Sequence, residues 1–293
     1  MTENKTAEAD TAIGSIESDI VYAVHDGIEL RGDFYRPSGA GPFPVVVAAP
    51  GGGWFVSDPR GLKSWGLHLA RQGIAVFAVQ YRAALAEKTF PGAVCDVLAA
   101  IQFVRASAAR FAIDPERIGL MGSSAGAHVT ALAALAGDSP RFQDRQPVGG
   151  HTGIETSVKA FAGIYGVYDM FAHWQHEITD FGKAGERRSE CFIGVPPYED
   201  RQLYFDASPI SHVRRAANKL AVFLAYGTAD HVVSPSTQSE AFRRALKQAG
   251  FPVAECPVVG AGHFWFSDEP IEEPGSHSGF IAPRLLRFFK RHL

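Results

Sequence analysis

The spacing of short apolar runs limits the possible folds of this sequence more than any other feature. These runs alternate with segments of helical periodicity, a pattern typical of a parallel sheet with helices packed on both faces. The predicted buried strands are Pro44–Ala49, Ile74–Gln80, Ile118–Met121, Val158–Tyr165, Leu220–Tyr226 and Val253–Val259. Two more predicted strands, Ile16–Val24 and Ile28–Tyr35, flank a turn at His25-Asp26-Gly27 that favours a hairpin. The sequence therefore predicts an α/β fold with an eight-stranded, mostly parallel sheet.

The segments between these strands predict how the chain is divided. Helical periodicity marks 91–109, 124–136, 236–249 and 281–293 as helices that cover the sheet. The first 14 residues are polar and acidic and are expected to form a disordered tail, which leaves 15–293 as a single domain. Residues 169–211 fit neither strand nor sheet-covering helix and are rich in aromatic and charged side chains. An insertion of this length is expected to form a cap over a functional site, or alternatively a surface elaboration with its own small core.

Composition and charge exclude several classes of partner. The formal net charge is −3 and no basic tract occurs, so nucleic acid is not an expected partner. The three cysteines, Cys95, Cys191 and Cys256, are odd in number and widely spaced, which argues against a disulfide framework and against a zinc site. The sequence contains neither a secretory h-region nor an apolar run of about 18 residues, so no membrane partner and a cytoplasmic location are expected.

The candidate nucleophile is Ser124, the central residue of Gly122-Ser123-Ser124-Ala125-Gly126. A G-x-S-x-G match carries weight only between a strand and a helix, and here it follows the predicted strand 118–121 and precedes an Ala-rich helix. Such a turn lifts the serine hydroxyl above the sheet and directs helix N–H groups towards a developing oxyanion. The alternatives are that Ser124 is a helix N-cap, or that Ser123 is the reactive serine.

A serine hydroxyl needs a base, and the base needs a carboxylate that fixes its tautomer. On this type of fold the chain order is Ser, then Asp or Glu, then His. Asp230 follows the predicted strand 220–226, and His263 follows the last strand in a glycine-containing loop. Asp230 could instead be a turn or capping residue, and His277 is the nearest alternative to His263.

A glycine run after the first buried strand supplies candidate oxyanion donors. Gly51, Gly52 and Gly53 follow Pro50 directly, and glycine lets the backbone approach a substrate closely. We predict an oxyanion hole from these three residues and the N–H group of Ala125. The aromatic residues next to the motifs, Trp54, Phe55, Phe264 and Trp265, are predicted to line the substrate pocket.

Several segments together give the chain a resemblance to the α/β-hydrolase carboxylesterases, in particular to hormone-sensitive-lipase-like and kynurenine-formamidase-like enzymes. The matching segments are 50–54 (PGGGW), 81–82, 90–91 with Asp96, 114–128, 163–169, 208–213, 226–230 (YGTAD) and 260–265 (GAGHFW). The resemblance implies a catalytic Ser124, Asp230 and His263, an oxyanion loop at 51–53, and no cofactor or metal. It departs from the family at Pro50, where the usual loop sequence HGGG has a histidine that braces the loop.

Together these residues predict a serine hydrolase that cleaves short-chain or aromatic carboxylic esters through an acyl-enzyme on Ser124. The same triad suits an arylformamidase or another amidase, because only the leaving group changes. A non-catalytic small-molecule binder on this fold is the third hypothesis. The expected partner is a small-molecule ester, and a homodimer is the base-rate expectation for the oligomeric state.

Overall fold

The computed structural model describes residues 13–25, 27–84, 87–143, 151, 153–180 and 187–293. Within this part of the chain, eight strands form one sheet in the order β1-β2-β4-β3-β5-β6-β7-β8. The strands are β1 (Ile13–His25), β2 (Ile28–Pro37), β3 (Phe43–Ala49), β4 (Ala75–Val79), β5 (Ile113–Ser123), β6 (Ala160–Ile164), β7 (Ala221–Gly227) and β8 (Val253–Val258). β1 pairs with β2 and β2 pairs with β4, both in antiparallel orientation. The strands β3 to β8 are all parallel to one another. The predicted α/β fold is confirmed.

Helices lie between the parallel strands and cover both faces of the sheet. They are α1 (Lys63–Arg71), α2 (Gly92–Ala106), α3 (Ala108–Phe111), α4 (Ala125–Ala136), α5 (Pro140–Gln143), α6 (Met170–Asp180), α7 (Arg188–Ile193), α8 (Arg201–Asp206), α9 (Ser239–Gln248), α10 (Trp265–Asp268) and α11 (His277–His292). Two buried apolar clusters result. One contains residues of α2 and α4, and the other contains residues of α1 and α11. Among the described residues, no helix has both the length and the apolar character needed to cross a bilayer.

The structure describes only part of the predicted tail and part of the predicted insertion. Residues 1–12 of the predicted tail 1–14 lie outside the described residues. The first strand, β1, begins at Ile13, whereas the domain was predicted to begin at residue 15. The predicted insertion, 169–211, contains α6, α7 and α8, apart from residues 181–186, which are not described. Phe192, Tyr204 and Ala207 of this insertion are buried in the same apolar cluster as α2 and α4. The insertion therefore packs on the core instead of standing away from it.

The parallel strands place their carboxyl ends at one edge of the sheet, where open α/β sheets bind ligands. The segments that follow β3, β5, β6, β7 and β8 all begin at this edge. Residues that are far apart in sequence, such as Pro50, Ser124 and His263, can therefore meet above it.

Candidate active site

The backbone at Ser124 adopts a strained conformation between β5 and α4. Its φ is 51° and its ψ is −122°, a region that side chains other than glycine seldom occupy. The Ser124 N–H group donates to the carbonyl of Ile164 at 2.9 Å, which ties the turn to β6. As the residue before α4, Ser124 could cap the helix, but its side chain makes no capping hydrogen bond. The backbone strain and the absence of a capping hydrogen bond from the hydroxyl together favour a chemical role for Ser124 over a capping role.

The glycines on either side of Ser124 are required by close backbone contacts. A Cβ atom on Gly126 would lie 2.1 Å from the carbonyl oxygen of Ala49, and one on Gly122 would lie 2.4 Å from the carbonyl of Gly126. Real Cβ atoms do not approach backbone this closely. The turn between β5 and α4 therefore requires glycine at both positions, because it packs closely against β3 and against its own helix.

His263 lies between the serine and the acid. Its Nε2 atom is 3.0 Å from Ser124 Oγ, and its Nδ1 atom is 2.7 Å from Asp230 Oδ2. The side chains of His263 and Asp230 are only 2% and 0% exposed, so bulk water does not screen their interaction. The structure thus brings the three predicted triad residues into one continuous hydrogen-bonded chain.

Asp230 uses its two carboxylate oxygens for different purposes. Oδ1 accepts hydrogen bonds from the N–H groups of Val232 and Val233, both at 2.9 Å, while Oδ2 faces His263. The turn role and the triad role considered for this residue therefore coexist. Because the turn fixes the carboxylate, Oδ2 is held in place to orient the imidazole.

The loop that carries His263 is hydrogen-bonded to the loop after β7. The Gly260 N–H group donates to Thr228 Oγ1 at 2.9 Å, and the Ala229 N–H group donates to the Ala261 carbonyl at 2.9 Å. This crossing passes so close to Gly227 that a Cβ atom there would lie 2.3 Å from the Ala261 carbonyl oxygen. Tyr165 packs against the imidazole of His263, with ring centroids 4.3 Å apart.

The alternative serine and histidine occupy other positions. Ser123 is buried, and its Oγ atom accepts a hydrogen bond from the Gly51 N–H group at 3.1 Å. His277 pairs with Glu269, with Nδ1 and Oε1 2.8 Å apart, at the beginning of α11. Ser124 Oγ, by contrast, faces His263, and the acid partner of His263 is Asp230.

The glycine loop after β3 borders the same cavity as Ser124. In the described part of the chain, the N–H groups of Gly52, Gly53 and Ala125 donate to no acceptor, so they remain free for a ligand. Gly51 differs from the sequence-based prediction, because its N–H group is already engaged by Ser123 Oγ. Its position is therefore a supporting one, while Gly52, Gly53 and Ala125 are the remaining candidate oxyanion donors.

Several side chains hold the glycine loop, in which Pro50 stands where the resemblance implies a histidine. The buried Tyr81 hydroxyl donates to the Pro50 carbonyl at 3.0 Å, and the Tyr81 N–H group donates to Ser57 Oγ at 2.8 Å. On the far side of the loop, Trp54 Nε1 donates to His128 Nδ1 at 3.1 Å. The loop is thus held by Tyr81, Ser123 and His128, which are contacts that the sequence pattern does not reveal.

The cavity above the triad has a volume of about 680 Å³. Its lining includes Trp54 and Phe264 but, among the described residues, neither Phe55 nor Trp265. Trp265 is buried in the cluster beside α1 and α11, where it packs edge-on against Tyr165, and the Phe55 ring lies 5.2 Å below the guanidinium of Arg188. Both residues differ from the prediction, because Phe55 and Trp265 pack against Arg188 and Tyr165, which line the cavity themselves.

Three polar residues of the insertion line this cavity and were not predicted from the sequence. They are His173 and Glu177 on α6, and Arg188 at the beginning of α7. The i, i+4 spacing of His173 and Glu177 was a visible signal that they share one face of a helix. What the sequence could not supply was the path of the insertion over the sheet.

Comparisons with known proteins agree with this geometry. The family model described as BD-FAE matches residues 33–246. The chain is 34% identical over 225 residues to the probable carboxylic ester hydrolase LipM of Mycobacterium tuberculosis, covering 75% of this chain and 48% of LipM. It is 35% identical over 256 residues to the esterase LipQ of the same organism, covering 85% of this chain and 57% of LipQ. The chain therefore spans about half the length of the curated relatives it matches.

A solved structure shares the whole architecture. A thermophilic esterase from Thermogutta terrifontis superposes with a TM-score of 0.73 at 25% identity, covering 92% of this chain and 90% of that one. The residues matched by the family model include the glycine loop at 51–53, Ser124 and Asp230. This chain belongs to the BD-FAE family of α/β-hydrolases.

Proposed function

We propose that this protein is a serine hydrolase that cleaves short-chain or aromatic carboxylic esters through an acyl-enzyme on Ser124. The observation that carries the proposal is the chain of contacts from Ser124 Oγ through His263 to Asp230, at 3.0 Å and 2.7 Å. These lengths lie within the range for a nucleophile that is activated by an adjacent base. The names of LipM and LipQ, a probable carboxylic ester hydrolase and an esterase, support ester cleavage over amide cleavage.

The proposed reaction begins with proton transfer from Ser124 Oγ to His263 Nε2 as Ser124 attacks the ester carbonyl carbon. Asp230 Oδ2 holds the imidazole in the tautomer with a proton on Nδ1 and stabilises the positive charge that forms. The carbonyl oxygen becomes an oxyanion, which accepts hydrogen bonds from the Gly52, Gly53 and Ala125 N–H groups. Each such donor contributes roughly 3 kcal/mol to stabilisation of the transition state.

The tetrahedral intermediate then collapses to the acyl-enzyme. His263 returns its proton to the leaving alcohol, the carbon–oxygen bond to that alcohol breaks, and the alcohol leaves. Water next gives a proton to His263 and attacks the acyl carbonyl, and a second collapse releases the carboxylic acid and restores Ser124.

The lining of the cavity supports the proposal that the acyl group is short or aromatic. Trp54 and Phe264 line it beside the oxyanion loop, and the insertion closes one wall with α6. A structure of the Thermogutta terrifontis esterase contains bound propionate, which is a short carboxylic acid. We expect a short or aromatic acyl group to occupy the cavity of this protein.

Turnover of p-nitrophenyl esters from acetate to decanoate, with a paired arylformamide, tests the proposal. We expect wild-type rates to fall as the acyl chain lengthens. Ser124→Ala should lower kcat by roughly a millionfold, because the residues of a triad act as one unit. Retained ester hydrolysis in Ser124→Ala would contradict the assignment of the nucleophile. Cleavage of the formamide in preference to the esters would favour an amidase instead.

A further inference from the structure

Two buried polar side chains face the cavity from the insertion. His173 and Glu177 lie one turn apart on α6, both line the cavity, and they are only 5% and 8% exposed. Burial of a carboxyl group next to apolar surface is unfavourable unless its oxygens are paired. Nothing in the proposed acyl-transfer steps uses either residue.

The contacts of this pair leave a gap between them. His173 Nε2 and Glu177 Oε1 are 3.6 Å apart, which is too far for a direct hydrogen bond, and an oxygen atom placed beside the pair on the cavity side can reach both. Glu177 Oε2 accepts from the Ser189 N–H group at 3.2 Å, so that oxygen already has a partner. A carboxylate can accept about four hydrogen bonds, and Oε1 therefore retains capacity.

The tautomer of His173 follows from its surroundings. Its Nδ1 atom is buried and has no hydrogen-bond partner within the described residues. An unpaired buried N–H group is rarer than an unpaired acceptor, so the proton belongs on Nε2. One side of the gap thus presents an N–H donor, and the other side presents a carboxyl oxygen.

The charges around the gap are set by burial. Burial, with smaller effects from the neighbouring His176, His128 and His263, lowers the pKa of His173 to about 3, so the imidazole is neutral at physiological pH. Burial raises the pKa of Glu177 to about 7. The groups that face Glu177 from α7 act in both directions, because hydrogen bonds from Ser189 and the charge of Arg188 lower this pKa and the charge of Glu190 raises it.

We propose that His173 and Glu177 form a subsite for a hydroxyl group carried by the acyl or alcohol part of the ester, and that Glu177 is a specificity-determining residue. The hydroxyl oxygen accepts from His173 Nε2–H, and the hydroxyl proton is donated to Glu177 Oε1. A hydroxyl group meets both demands, whereas an ether oxygen cannot donate and an ammonium group cannot accept. This subsite rests on the proposed esterase function.

Matched ester pairs test the subsite. One pair, p-nitrophenyl β-hydroxybutyrate and p-nitrophenyl butyrate, places the hydroxyl on the acyl side. The other pair, butanediol monoacetate and butyl acetate, places it on the alcohol side, and a methoxy analogue accompanies each hydroxyl member. The measured quantity is the ratio of kcat/KM within a pair between about pH 5.5 and 8.5, which cancels the titration of the shared catalytic base.

The ionised carboxylate is the stronger acceptor, so the hydroxyl preference should rise with pH. We expect the ratio in one of the two arms to increase roughly tenfold as pH rises through about 7, and the methoxy analogue to show no increase. Glu177→Gln should remove the increase, because an amide does not titrate. Glu190→Gln, the same chemical change on α7 outside the cavity lining, should retain the increase but move it to lower pH, because the charge of Glu190 raises the pKa of Glu177. Circular dichroism spectra report the folding of each variant.

Flat ratios in both arms of the wild type would overturn the subsite, as would an unaltered increase in Glu177→Gln. A purely structural tie between α6 and α7 would give flat ratios, and a titrating group other than Glu177 would give the unaltered increase. If the wild type hydrolyses no ester, the proposed function fails, and the subsite is then judged by calorimetric binding of the same pairs to Ser124→Ala. Equal affinities for the hydroxyl and alkyl members would then overturn the subsite as well.

Discussion

The conformation of Ser124 is the most unusual feature at the scale of a single residue. A φ of 51° with a ψ of −122° is unfavourable for any residue with a Cβ atom, and such strain costs on the order of 1 to 3 kcal/mol. The turn keeps this conformation because Gly122 and Gly126 pack against backbone on both sides of it. The position of the hydroxyl is therefore obtained at a cost in stability.

Substitution of Ser124 by glycine and by alanine should separate strain from chemistry. Both variants lose the nucleophile, so neither should turn over esters. Ser124→Gly should unfold with a free energy about 1 kcal/mol higher than Ser124→Ala, because glycine tolerates positive φ and this outweighs its larger unfolded-state entropy. Urea unfolding of the two variants measures the difference. An alanine variant as stable as the glycine variant would show that the turn is not strained.

The glycine loop after β3 shows how elements support one another. Its Pro50 carbonyl is held by the Tyr81 hydroxyl, and Tyr81 belongs to the segment that follows the neighbouring strand β4. The resemblance to carboxylesterases implies a histidine at the position of Pro50, whereas in this chain a tyrosine from an adjacent element makes a buried contact with the loop.

Tyr81→Phe tests this bracing. Loss of the hydroxyl leaves the buried Pro50 carbonyl without its donor, so the free energy of unfolding should fall by about 1 to 2 kcal/mol. We also expect kcat to fall about tenfold with little change in KM, because the oxyanion donors are held less firmly.

Tyr204→Phe is the matched control, since its hydroxyl donates to the Val195 carbonyl at 3.0 Å within the insertion. The control should lose similar stability but keep kcat. An equal loss of kcat in the two variants would contradict a specific role for Tyr81.

At the scale of the whole molecule, His128 joins three regions. It lies on α4, accepts from Trp54 of the glycine loop, and contacts the Ala207 carbonyl of the insertion through Nε2 at 2.7 Å. Because Trp54 Nε1 can only donate, His128 Nδ1 must be unprotonated and Nε2 must carry the proton. We propose on these contacts that the insertion and the core unfold as a single domain.

The neutral state of His128 predicts how stability depends on pH. Burial lowers its pKa to about 4, while the unfolded value is about 6.5. Between these values the unfolded chain binds more protons than the folded one, so stability is full above about pH 6.5 and falls as the pH drops towards 4. This residue alone should contribute a slope of about 1.4 kcal/mol per pH unit within that window.

His128→Gln removes the titration while an amide can still accept from Trp54 and donate to Ala207. We expect this variant to be less stable at pH 7 but to lose less stability between about pH 6 and 4.5. The exposed His231→Gln variant should keep the wild-type slope. Chemical unfolding at several pH values measures these slopes, and an unchanged slope in His128→Gln would refute the assignment.

The local sequence by itself determined the strands, the nucleophile turn and the chain order of the triad. Buried parallel strands need continuous apolar runs, and the turn around Ser124 needs glycine on both sides, so these requirements are written in adjacent residues. Asp230 and His263 were found for the same reason, since each lies just after a strand end. That these three residues would meet followed from the common edge of parallel strands.

Only the tertiary structure decided what surrounds the triad. Gly51 is engaged by Ser123, Trp265 is buried in the core, and Tyr81 holds the Pro50 carbonyl because of contacts between distant segments. His173 and Glu177 reach the cavity because the insertion folds over the sheet. The path of the insertion depends on burial of its own Phe192 and Tyr204 in the core, where Phe192 stacks on Trp54. Such packing is a sum of many weak non-local contacts, and no local pattern of residues encodes it.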